Sequence, residues 1–100
     1  MSVVNYPPYG GGAVSGQITV TTAGTAVQGS SVALENGIFI RALAGNTGLV
    51  YVGSDGAGDV TSANGFELSP GQTILVQARN LNQLWFDAAT NGDKFCWILG

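Results

Sequence analysis

From residue 17 onward, apolar residues fall in short runs with a period of two. In 38–43, Ile38, Ile40 and Ala42 share one face of an extended chain, and Phe39, Arg41 and Leu43 share the other. In 73–79, Ile74, Val76 and Ala78 oppose Leu75, Gln77 and Arg79; in 17–22 (QITVTT), Ile18 and Val20 share a face. The segment 49–52 (LVYV) is apolar at every position, which predicts a strand covered on both faces. Further short strands are predicted over 26–28, 31–35, 60–62, 66–68, 84–87 and 94–99. Between them lie turn residues: Pro70-Gly71 and three Asn-Gly pairs, Asn36-Gly37, Asn64-Gly65 and Asn91-Gly92. Asn and Gly tolerate the positive φ of tight turns, so Asn36-Gly37 is the clearest predicted hairpin, joining 31–35 to 38–43. No segment carries a sustained helical period with caps, and no repeat or interior linker is present. The expected fold is all-β: one β-sandwich, jelly-roll-like, or a small β-barrel, of about eight short antiparallel strands.

The first 16 residues break this pattern. Tyr6-Pro7-Pro8-Tyr9 runs into Gly10-Gly11-Gly12 with no apolar periodicity. Two prolines favour extended polyproline geometry and a Gly run leaves the backbone unrestricted. The division expected is an extended N-terminal arm over 1–16 and a sandwich domain over 17–100. Tyr6, Pro7, Pro8 and Tyr9 are the candidate partner-binding residues of the arm. A disordered tail is the alternative.

Composition then narrows the function. Only 9% of the residues are charged, against about 25% in an ordinary domain. Hydrophobic residues make up 45%, and there are 16 glycines. A free monomer usually carries more charge, so part of this surface is expected to be covered by other subunits. The three cations, Arg41, Arg79 and Lys94, are dispersed, and the net charge is −3. That argues against nucleic acid or a lipid surface as partner. The N-terminus lacks the basic start and apolar core of a secretion signal, so synthesis and assembly in a cytoplasm are expected.

Candidate chemistry is sparse. Without His there is no Ser-His-Asp or Cys-His arrangement. Cys96, the only cysteine, lies in Phe95-Cys96-Trp97-Ile98-Leu99 and is expected to be a small buried hydrophobe. Asp55 and Asp59 bracket a Gly-rich loop that lacks the ligand set of a calcium loop. The six acids lie mainly in turns and suggest no catalytic pair. Gly10-Gly11-Gly12 precedes no helix and is no phosphate cradle. Trp85, Phe86 and Trp97 are expected in the core, with at most one Trp exposed to stack on a sugar. No catalytic residue, metal or cofactor is assigned.

Several stretches resemble a small β-domain found in structural proteins of tailed bacteriophages. They are ITVTTAGTAVQ (18–28), IRALAGNTGLVYVG (40–53), NGFELSPGQTI (64–74) and NLNQLWFD (80–87) leading to NGD (91–93). The resemblance spans most of the chain, and it consists of turns and strand cores. It implies a non-enzymatic virion component, most like a capsid decoration or cement protein at the head surface. Its partners would be the major capsid protein and itself, as a homotrimer. The alternative is a tail or head-fibre adhesin module that binds host-surface glycans.

Overall fold

Alternation decides which side chains meet in the core, and pairing decides where each strand lies. The computed structural model describes residues 14–54, 60–61 and 64–100. Its strands are β1 (Ser15–Thr19), β2 (Val27–Gln28), β3 (Ile38–Ala42), β4 (Val50–Gly53), β5 (Phe66–Leu68), β6 (Thr73–Val76), β7 (Trp85–Ala88) and β8 (Lys94–Leu99). One 3-10 turn covers Leu81–Gln83. The strands form two four-stranded antiparallel sheets, ordered β1-β8-β3-β6 and β2-β7-β4-β5. Only β4 and β5 are both consecutive and paired; every other connection crosses from one sheet to the other. This is the strand order of an eight-stranded jelly roll.

The core is the space between the sheets. Ile18, Ile38, Ile40, Ala42, Phe95 and Trp97 enter it from the first sheet. Val50, Val52, Leu68, Phe86 and Ala88 enter it from the second. The rings of Phe86 and Phe95 meet edge to face across the sheets, centroids 4.8 Å apart at 66°. Such a contact adds about 0.5–1.5 kcal/mol beyond area burial.

Strands β5 and β8 coincide with the predicted 66–68 and 94–99, and Val50, Tyr51 and Val52 of β4 are all buried. Strand β1 begins two residues before the expected position 17, because Ser15 and Gly16 pair with Ile98 and Trp97. That pairing is a tertiary contact with no local sequence signal. The predicted strand at 31–35 does not form. Only an isolated bridge joins Ala33 to Asn80. The Val32 N–H donates to Asn80 Oδ1 at 3.0 Å, and the Leu34 N–H to the Arg79 carbonyl at 2.9 Å. Asn36-Gly37 is therefore not a hairpin. Gly37, at φ +84°, bends the chain into β3, whose partners are β6 and β8. Asn91-Gly92 likewise connects strands of different sheets, β7 and β8. In a jelly roll the sharp reversal carries the chain to the opposite sheet, so the antiparallel partner is remote in sequence. Val60 and Thr61 belong to no strand.

Candidate interaction surface

The two sheets differ on their outer sides. In the second sheet, Tyr51 of β4 and Asp87 of β7 point away from the core, opposite in parity to Val50 and Phe86, yet both are buried. Neighbouring loops cover them. A Cβ added at Gly65 would stand 2.6 Å from Tyr51 Cβ and 3.0 Å from the Thr61 carbonyl. Only glycine lets the β4–β5 connection lie this close to the strand. Asn64 Oδ1 braces that connection, accepting from both the N–H and the hydroxyl of Thr61 at 2.9 Å. Asp87 Oδ1 accepts from the Gly24 N–H at 2.9 Å and the Ala88 N–H at 2.8 Å, tying down the β1–β2 connection.

The outer side of the first sheet has no such cover among the described residues. Register aligns Ser15, Ile98, Phe39 and Leu75 in one row across β1, β8, β3 and β6. The next row is Gln17, Cys96, Arg41 and Thr73. Ile98, Phe39 and Leu75 are 53%, 42% and 51% exposed, so three large apolar side chains stand side by side in water. Cys96 belongs to this face and is half-buried, which corrects its expected place in the core. Phe95 and Trp97 take the inward positions of β8, and Cys96 must then point outward. The run FCWIL is apolar on both parities, so its pattern alone did not show which face was inner.

A third feature is a groove of about 630 Å³ between the outer edges of β6 and β5, floored by Val52, Ile74, Val76 and Leu84. Phe66 stands at its rim, 58% exposed. Among the described residues no charged side chain lines it; its polar groups include the amides of Gln77 and Gln83.

Asp93, buried, accepts the Thr47 N–H at 3.0 Å on one oxygen and the Gly48 N–H at 2.9 Å on the other. Among the described residues no group of three or more His, Cys, Asp or Glu could hold a metal. Phe86 and Trp97 are buried and Trp85 is half-buried on the outer side of the second sheet. Tyr6, Pro7, Pro8 and Tyr9 lie outside the described residues, as do Asp55 and Asp59.

No known family, curated protein or solved structure matches this chain.

The bare face was partly legible in sequence. Alternation already set Phe39 beside Arg41 and Leu75 beside Gln77, on the faces opposite the core-forming residues. Large apolar residues on the more polar parity of two strands signal a surface patch. What the pattern did not contain was the β8 register that adds Ile98 to the same row.

Proposed function

We propose that this chain is a bacteriophage head decoration, or cement, protein. It binds the outer surface of the capsid and bridges major capsid subunits, so that the shell resists the pressure of packed DNA. It acts as a homotrimer and needs no cofactor. The single observation that carries a binding role is the bare row of Ile98, Phe39 and Leu75 in a chain with only nine charged residues. A flat sheet face with an apolar centre suits docking on a broad, flat protein joint. The assignment to phage heads, and the number three, rest on the resemblance of the turn and strand motifs.

The test is to mix purified protein with undecorated, expanded heads and then stress them by heat or chelation. Added protein is expected to raise particle resistance, with little dependence on salt because Arg41, Arg79 and Lys94 are the only side-chain cations. Phe39→Asp and Ile98→Asp are expected to abolish the protection while the domain stays folded. Heads no more resistant with the protein than without it would sink the cementing role. The adhesin reading draws on Phe66, an exposed aromatic beside the Gln77 and Gln83 amides, a combination on which a sugar could stack. A handful of copies at the tail, rather than hundreds on the head, would move that reading to first place.

A further inference from the structure

We infer that the groove at the β5–β6 edge is the receptor for the N-terminal arm of a second copy of this chain, which adds a strand along β6. The site begins with backbone chemistry. The Ala42 N–H donates to the Gln72 carbonyl at 3.0 Å, and the Gly71 N–H donates to the Ala42 carbonyl at 2.8 Å. This pairing sets the parity of the ladder that follows. Ile74 and Val76 exchange bonds with Ile40 and Ile38, and the N–H and C=O groups of Thr73 and Leu75 point away from β3. Among the described residues no strand pairs with that side of β6.

Exposed edge strands are usually guarded by charge, by Pro or by a covering segment. Thr73–Val76 carries no charge and no Pro. The groove beside it is mainly apolar and, among the described residues, uncharged, with Phe66 at the rim. An extended peptide laid along β6 would satisfy the outward backbone groups and set alternate side chains into the groove.

Residues 1–13 have matching chemistry. They contain no charged side chain. Val3, Val4 and Tyr6 are strand-forming residues upstream of the prolines, with N–H groups to donate. Pro7-Pro8 favours an extended course, and Gly10-Gly11-Gly12 leaves the direction of departure open.

Geometry favours a neighbour. Strand β1, where the arm starts, and β6 are opposite edges of one sheet, three strand spacings or about 14 Å apart. Thirteen residues reach about 45 Å when extended. Return to the chain's own β6 would require a reversal within the few residues next to β1, whereas a second copy can be placed so that none is needed. Departure from one edge and arrival at the opposite edge is a head-to-tail contact, which closes into a ring when the rotation permits. The inference takes from the proposed function only self-association; the site rests on the edge and the groove.

The experiment uses full-length chains in a Cys96→Ala background, one bearing Val4→Cys and the other Gln77→Cys. An oxidised mixture is expected to give a disulfide between unlike chains. Phe66→Lys in the Gln77→Cys chain is expected to reduce its yield at least about tenfold, as a lysine replaces the apolar rim. Hydrogen exchange supplies a second readout: the Thr73 and Leu75 amides are expected to slow at least about tenfold on concentration, while Phe66→Lys abolishes that slowing. A third chain bearing both Val4→Cys and Gln77→Cys separates the routes: a bond that forms only within that chain, with none between the singly substituted chains, would overturn the exchange between copies, and so would no bond at all. Cross-linking without protection of heads would defeat the decoration reading and leave this one standing. Head protection without cross-linking would do the reverse.

Discussion

Tyr51 and Phe39 hold corresponding places. Each is an outward-pointing aromatic on the third strand of its sheet, β4 in one and β3 in the other. Tyr51 is buried and Phe39 is 42% exposed. The difference lies in the connections. The β4–β5 segment folds back over β4 at Gly65, and the β1–β2 segment is held over β7 by Asp87. Nothing described does this for β3, β6 and β8. The second sheet is thus covered on its outer side where Tyr51 and Asp87 pair, while the first keeps an apolar row for contact with something else. At about 25 cal/mol per Å², leaving that row in water forgoes stability that an assembly would recover.

The largest expected difference is between these two aromatics. Tyr51→Ala is expected to cost about 3–5 kcal/mol, the loss of a buried ring with the cavity it leaves. Phe39→Ala is expected to cost less than about 1 kcal/mol in the unassembled protein, in line with an exposed position. Urea unfolding of both variants measures the gap; equal losses would show that the first sheet is covered after all.

Asp87→Ala comes next. It leaves the buried Ala88 N–H and the part-buried Gly24 N–H without their acceptor, at an expected cost of about 1–3 kcal/mol. Exchange of the Gly24 amide should quicken in the variant, reporting release of the β1–β2 connection. Gly65→Ala is expected to cost about 1–3 kcal/mol, because the new methyl meets Tyr51 and the loop must lift. If the cover is what buries Tyr51, its ring NMR resonances should move toward those of a solvated tyrosine. Unchanged resonances would show that Tyr51 is buried by other means.

The smallest effect separates the faces by chemistry. Cys96→Ser is expected to change stability by no more than about 0.5 kcal/mol, as a half-buried position on the bare face allows. The native thiol should react with a small reagent in dilute protein and become protected when the protein is seated on a capsid. A thiol that reacts only after unfolding would return Cys96 to the core.

Much of the body could be read from the chain. Period-two alternation put Ile38, Ile40 and Ala42 on one face, which the structure buries, and the unbroken run at β4 announced a strand covered on both sides. These are local consequences of the pleat and of burial, so they survive whatever the topology. The partners of each strand could not be read. Asn36-Gly37 has the composition of a hairpin, yet 31–35 bonds instead to the segment around Asn80, because in this fold antiparallel neighbours are distant in sequence. Register between β8 and β3 then decided that Ile98 joins Phe39, and that Cys96 faces out. Sequence by itself determined the strands, most of the core and the scarcity of charge, since each depends on residues near one another along the chain. Tertiary structure alone decided which outer face is covered and which edge lies open, since those depend on where long connections come to rest.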